Sequence, residues 1–210
     1  MQLIGMLDSP YVRRVAVSLQ LLDLPFTHQS LSVFRTFDQF RAINPVVKAP
    51  TLVCDDGTVL MDSTLILDYA QCLAGRTLMP GDVRERQHAL RVIGLALSAC
   101  EKSVQIVYER NLRPAEKLHE PWIARVTGQL LAAYTALEAE LMRQPLDIAD
   151  QRIDQVGVST AVAWQFTQMN MPEIIDAAQF PALRELSARA ERLPQFVAAP
   201  HGASTYQPTR

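Results

Sequence analysis

Hydrophobic positions recur with two different periods along this chain, and the change of period divides it. From Met1 to about Arg76, short β-type runs are interleaved with helical stripes. Gln2 to Leu7 reads as an apolar opening strand, and Phe26 to Leu31, entered through Pro25, as a second. Thr51 to Cys54 and Thr58 to Met61 are two short runs joined by Asp55-Asp56-Gly57. That connection predicts a hairpin, with Gly57 free to take the left-handed conformation that closes the turn. Between the strands, Val12, Val15, Ala16, Leu19 and Leu22 recur at helical spacing, while Arg13, Arg14 and Gln20 fall on the other side. Ser9 is a favoured N-cap for this helix, and Pro10 suits its first position. Ile66, Tyr69, Ala70 and Leu73 mark a second helix from Asp62-Ser63 to Gly75, and a weaker one spans Phe37 to Ile43.

Beyond Asp82 the strand signals stop. Pro114, Pro121, Pro145, Pro172 and Pro194 punctuate segments that read as helices: Val83 to Arg113, Trp122 to Arg143, about Asp154 to Asn170, and Ile174 to Leu193. Thr77 to Asp82, with Pro80 and Gly81, is the linker, and the polar tail from Pro200 to Arg210 is expected to be loosely held. The predicted architecture is an α/β unit over residues 1–76 in the order βαβ-α-ββα, a linker at 77–82, and an all-helical domain over 83–210. That element order is the order of a thioredoxin-like domain and also fits other small α/β units.

Composition narrows the chemistry. With 20 basic and 22 acidic residues among 210, the net charge is −2, which gives no global pull towards nucleic acid or an anionic membrane. The longest apolar run, Val92 to Cys100, falls far short of the roughly 20 residues that cross a bilayer. Met1 to Pro10 has no basic start and is cut by Asp8, so it does not read as a secretory signal. Cys54, Cys72 and Cys100 are odd in number and widely spaced, which suits a reducing, cytoplasmic setting, and Cys54 and Cys72 read as ordinary buried thiols. The four histidines are too scattered for a local metal motif, so no metal is expected. Trp164 and Phe166 read as core, and Arg13 and Arg14 as solvated or domain-interface charges.

Three segments carry a resemblance that spans nearly the whole chain. They are Ser9-Pro10-Tyr11-Val12-Arg13-Arg14-Val15, Asn44-Pro45-Val46-Val47-Lys48-Ala49-Pro50-Thr51-Leu52, and Met61-Asp62-Ser63-Thr64-Leu65-Ile66-Leu67-Asp68-Tyr69. In this order, ahead of a helical half, they are similar to the cytosolic glutathione S-transferases, of the serine type found in bacteria. The resemblance implies a thioredoxin-like domain with a mixed four-stranded sheet, followed by a helical bundle. Ser9 is then either a plain cap or the hydroxyl that donates to the glutathione sulfur. A free thiol of pKa near 8.5 is only about 3% ionised at pH 7. Lowering that pKa by about two units makes roughly three-quarters of it thiolate, a differential stabilisation of about 2.7 kcal/mol. Thioredoxin-like redox proteins carry a cysteine at this place, so its absence here disfavours thiol-disulfide exchange.

The same resemblance assigns the tripeptide site. Pro50 matches the family's cis-proline, whose turn presents the main chain of Ala49 to the cysteinyl backbone of glutathione as an added strand. Lys48 is either an exposed lysine or the cation for the glycyl carboxylate. Asp62-Ser63 caps a helix on either reading. In the functional one, Ser63 binds the γ-glutamyl carboxylate and Asp62 the ammonium. One departure is at Asp154-Gln155-Val156-Gly157, where the family has a Ser/Thr-x-x-Asp capping pair. Here Gly157 supplies no reciprocal carboxylate. Tyr11 and Tyr108 are the candidates for an electrophile pocket between the domains. The implied activity is conjugation of glutathione, a cosubstrate, to a small hydrophobic electrophile by a detoxifying homodimer. The rivals are a glutathione-dependent isomerase, disfavoured because Asp8-Ser9-Pro10-Tyr11 is not the Ser-Ser-Cys type of segment, and a noncatalytic binding module.

Overall fold

The computed structural model describes residues 1–148 and 153–208, which fall into two compact units. The first holds residues 1–80, 153–154 and 191–208, and the second holds 81–148 and 155–190.

Four three-residue strands build the sheet of the first unit: β1 (Gln2–Ile4), β2 (Thr27–Gln29), β3 (Thr51–Val53) and β4 (Val59–Met61), in the order β2-β1-β3-β4. β1 runs parallel to β2 and antiparallel to β3, and β3 and β4 form the expected hairpin. This is the mixed four-stranded sheet of a thioredoxin-like domain. The strands are shorter than their apolar runs, for local reasons. β1 stops where Gly5 takes φ +133°, a conformation that side chains resist, and a Cβ there would meet Val12 Cγ2 at 2.6 Å. Three helices complete the unit: α1 (Pro10–Leu21), α2 (Phe37–Ile43) and α3 (Ser63–Ala74). α1 packs on α3, Ile4 joins Phe40 of α2 in a buried cluster with Leu31, and Gly75 closes α3 in the left-handed conformation.

Arg13 and Arg14 correct the sequence reading of α1, because both are almost fully buried instead of solvated. The reason for Arg13 is the end of the chain. Its guanidinium makes paired 2.6 Å bonds to Glu191, donates through Nε to the Ala199 carbonyl at 2.8 Å, and lies over the Phe196 ring of α8 (Pro194–Ala198). The tail is likewise not loosely held through its described residues. Tyr206 stacks on Phe26 with ring centres 4.3 Å apart, and Gln207 N–H donates to the Ala198 carbonyl at 2.9 Å. Cys72 is also corrected. It is exposed on the outer side of α3, whereas Cys54 and Cys100 are buried.

The second unit is helical: α4 (Val83–Leu112), α5 (Glu120–Arg143), α6 (Gln155–Asn170) and α7 (Pro181–Ala190). α6 is buried around most of its circumference and runs through Gly157. Its Thr167 hydroxyl sits in a relay of buried hydrogen bonds. Ser103 donates to Thr167 at 2.7 Å, Thr167 to Tyr134 at 2.6 Å, and Tyr134 to the Ala163 carbonyl at 2.9 Å, so every hydroxyl proton is used. Trp164 and Phe166 are core, with Trp164 edge-on to Tyr134 and Phe180.

The single helix expected from Ile174 to Leu193 does not form. Its first part is a 3₁₀ turn, Ala177–Gln179, capped by Asp176, and α7 starts only at Pro181. Proline suits the first helical position and breaks a helix elsewhere. The start is fixed from α5. Glu138, itself buried, accepts from the N–H groups of Ala182 and Leu183 at 2.7 and 2.9 Å. Glu138→Ala strands both donors and is expected to cost about 2 kcal/mol. Urea unfolding is the measure, with Glu138→Gln, which keeps one acceptor, falling between the two.

Candidate functional site

Strand register decides which loops meet. Ile4 stands opposite Gln29 on one side and Thr51 on the other, and Thr51 stands opposite Met61. The segments leaving or entering at that edge are Gly5 to Ser9, the loop ending in Ala49-Pro50, and Asp62-Ser63. They therefore share one end of the sheet. Contacts between them agree. A Cβ on Gly5 would lie 3.2 Å from that of Ala49, Lys48 Nζ is 3.9 Å from Asp62 Oδ2, and Arg14 Nη1 is 3.1 Å from Ser63 Oγ.

Ser9 is the N-cap of α1, with φ −71° and ψ 124°, and its Oγ accepts from Val12 N–H at 3.4 Å. Accepting that bond leaves the hydroxyl proton available for donation. Asp8, just before it, is half-buried. Burial pushes its carboxyl above the usual range, against the opposing pull of His201, the Ser9 N–H and Arg35.

The second loop is held from beneath. Buried Asn44 donates to Thr51 Oγ1 at 2.8 Å and accepts from Val46 N–H at 3.0 Å, while the Thr51 hydroxyl donates to the Lys48 carbonyl at 2.7 Å. These bonds fix a backbone in which Val47 has φ +52° and the Ala49–Pro50 peptide is cis, as the resemblance implies.

Asp62 caps α3 from a left-handed φ of 72°, with Oδ1 accepting from Thr64 N–H at 2.9 Å. Such a conformation costs an aspartate about 1–3 kcal/mol and persists only where its surroundings impose it. Ser63 is buried, and its hydroxyl and that of Thr64 both accept from Arg14, at 3.1 and 3.2 Å. Lys48 and Asp62 are each about half exposed, so their contact is a weak, screened pair.

Sequence reasoning missed Arg14, Asn44 and Thr51. Arg14 lies on what periodicity marks as the polar side of α1, and its value depends on α3, far away in sequence. The Asn and Thr stand inside the quoted motif, but nothing in their spacing says that they bond to each other. Tyr11 occupies the second position of α1 in the first unit, and Tyr108 lies late in α4 in the second unit, exposed. Among the described residues no group of three or more His, Cys, Asp or Glu is placed to hold a metal ion. No helix among them is long and apolar enough to cross a membrane.

One end of the sheet thus gathers two helix N-termini, a buried guanidinium, a lysine, an aspartate and two serine hydroxyls. The excess of positive ends suits carboxylates, and Asp62 supplies a partner for an ammonium. Residues 3–77 match the family model described as the N-terminal domain of glutathione S-transferase. An uncharacterised GST-like protein of Escherichia coli, YibF, is 23% identical over 165 residues, covering 78% of this chain and 81% of that one. A glutathione transferase family member from Pseudomonas fluorescens Pf-5, solved with S-(propanoic acid)-glutathione, is 28% identical. It superposes with a TM-score of 0.79 over 94% of this chain and 95% of its own. A glutathione S-transferase of Methylobacterium radiotolerans, solved with glutathione sulfonate, is 25% identical with a TM-score of 0.86, over 94% of this chain and 93% of its own.

Proposed function

We propose that the end of the sheet described above binds glutathione and that the protein conjugates it to a small hydrophobic electrophile, a reading supported by the match of residues 3–77 to the N-terminal domain of glutathione S-transferase and by the solved transferases it resembles. The observation that carries this reading is the gathering of Ser9, the Lys48-Ala49-cis-Pro50 turn and Asp62-Ser63 at one edge. Ser9 donates its free proton to the sulfur, and the positive end of α1 adds to the stabilisation of the thiolate. Ala49 pairs with the cysteinyl backbone as an extra strand. Lys48 takes the glycyl carboxylate. The N–H and hydroxyl of Ser63 take the γ-glutamyl carboxylate, with the Arg14 charge beneath them, and Asp62 takes the ammonium.

In the reaction the thiol proton has gone to solvent and the sulfur lone pair forms a bond to an activated aromatic or unsaturated carbon; at an unsaturated carbon the π bond opens and the neighbouring carbon takes a proton from solvent. Where the carbon carries a halogen, the carbon–halogen bond breaks and halide leaves with its electron pair. Catalysis rests on thiol activation and proximity. Tyr11 and Tyr108 belong to the electrophile's side of this reading, which also has the protein as a cytoplasmic homodimer.

Glutathione titration by calorimetry, followed by turnover of a chloronitroaromatic, tests the proposal. Saturable binding with turnover is the expected result. Binding without turnover across aromatic, unsaturated and halogenated electrophiles would favour a noncatalytic module, and isomerisation in their place would favour the isomerase. No binding would overturn the site itself.

A further inference from the structure

We propose that His28 is a positioning residue for the Ser9 loop, and that its neutral imidazole clasps the C-terminal segment to that loop. The clasp exists whatever the ligand, whereas its effect on catalysis rests on the transferase reading above. His28 is the middle residue of β2 and uses both ring nitrogens. Nε2 lies 2.7 Å from the Gly5 carbonyl, and Nδ1 lies 3.0 Å from the N–H of Tyr206.

Tyr206 N–H can only donate, so Nδ1 has to accept and carries no proton. The ring proton is then on Nε2, where it donates to Gly5. One neutral tautomer satisfies both partners, and an imidazolium would set an N–H against an N–H. The neighbouring stack of Tyr206 on Phe26, 4.3 Å between centres and 13° from parallel, holds the segment in place. Ser30 Oγ adds a bond to the Ala203 carbonyl at 3.4 Å.

The loop so gripped is the one that ends in Ser9. Gly5 opens it in a conformation that leaves no room for a Cβ, and Asp8 closes it. The C-terminal segment reaches that end as well, because His201 lies near enough to Asp8 for each charge to act on the other. The Gly5 end of the turn is thus held by His28, which Tyr206 of the tail grips in turn, and the Asp8 end lies beside His201 of the same tail. A shift of the tail moves the Ser9 hydroxyl relative to a bound sulfur.

Burial holds His28 below its ordinary value, partly offset by the Gly5 carbonyl, with no charged side chain among the causes; the phenol of Tyr206, whose N–H meets the ring, is itself pushed up by burial. The other ionisable groups on the elements it joins are Asp8 and His201, which act on each other and on Arg13, Arg35 and Glu191. Since the released segment leaves His28 free to bind a proton at its ordinary pKa near 6.5, the clasp is intact above that pH and weakens progressively below it.

Long-range nitrogen–proton spectra of the full chain, labelled with nitrogen-15 in its four histidines, read the tautomer directly. His28→Gln and His28→Leu assign the signal. The expected result at pH 7.5 is the Nε2–H tautomer, with a midpoint that rises in Tyr206→Pro, which lacks the N–H, more than in Tyr206→Leu, which keeps it. An Nδ1–H tautomer, or a midpoint that Tyr206→Pro leaves unchanged, would overturn the clasp regardless of any activity. For the positioning role, His28→Leu is expected to lower kcat about tenfold with glutathione affinity nearly unchanged. His28→Gln, which offers both an N–H and an acceptor, is expected to restore most of it and to make the decline in kcat below pH 6.5 shallower than in wild type, leaving the part that comes from protonation of the thiolate. An identical decline in wild type and His28→Gln would refute the role while leaving the transferase reading intact.

Discussion

Ser9→Ala is expected to lower kcat/KM for a chloronitroaromatic by about fiftyfold at pH 6.5, approaching a hundredfold at lower pH, the equivalent of the two pKa units assigned to thiolate stabilisation. The loss is pH-dependent in a definite direction. On the proposed role of Ser9, the wild type holds a thiolate below the pKa of free glutathione that the variant lacks. Above about pH 9 both hold one, because the thiol ionises unaided. The two pH–rate curves should therefore converge on the alkaline side, and a loss of equal size at every pH would contradict a role in ionisation. Since Ser9 also caps α1, alanine takes away helix stability of about 1 kcal/mol as well. Ser9→Gly separates the effects. Glycine is a tolerable cap at a cost of only a few tenths of a kcal/mol, so its activity should fall with alanine's while its stability stays near wild type.

The largest effect on stability is expected at Glu191→Ala. Arg13 is only 1% exposed, and Glu191 is the carboxylate that meets both ends of its guanidinium. Removing one partner of such a pair leaves a buried charge uncompensated, at about 3–5 kcal/mol. For a chain of this size that corresponds to a fall in melting temperature of roughly 10 °C, measured by differential scanning calorimetry. Because Arg13 is buried and Glu191 is only partly exposed, raising the salt should reduce the difference by a small fraction. Arg13→Met combined with Glu191→Leu should recover much of the loss, since an apolar pair of similar volume carries no desolvation penalty. A single variant within 1 kcal/mol of wild type, by the same measure, would show that the Ala199 carbonyl and the Phe196 face suffice for Arg13.

What the sequence makes legible follows from how local each determinant is. α1 and α3 are written in neighbouring residues: a cap, a proline at the first position, an apolar stripe and, for α3, a closing glycine. The hairpin is written in Asp55-Asp56-Gly57. The motif residues Ser9, Lys48, Ala49, Pro50, Asp62 and Ser63 come together because each adjoins the edge of a strand, and strand order follows from the fold class. Arg13, Arg14 and the tail were not legible, because their partners are distant in sequence. Glu191 is 178 residues from Arg13, and Tyr206 is 178 from His28. Periodicity reports which side of a helix is polar in composition. It does not report that a charged side chain has found a buried partner. The split of the Ile174 to Leu193 segment has the same origin, since the start of α7 is fixed by Glu138 on α5.

The closing of the first unit by the last residues of the chain has a consequence for how the protein is made. Ribosomes deliver residues 1–80 early, but residues 191–208 emerge only after the whole helical unit has been synthesised. At about 5–20 residues per second the nascent first unit waits on the order of ten seconds for the segment that covers Arg13 and clasps His28. During that interval the helical unit can fold while its predecessor stays open, so the N-terminal sequence is the older part of the nascent chain but the later to be completed. Contacts of such long sequence separation also slow refolding in the test tube. The chain's first folding unit is finished by its last residues.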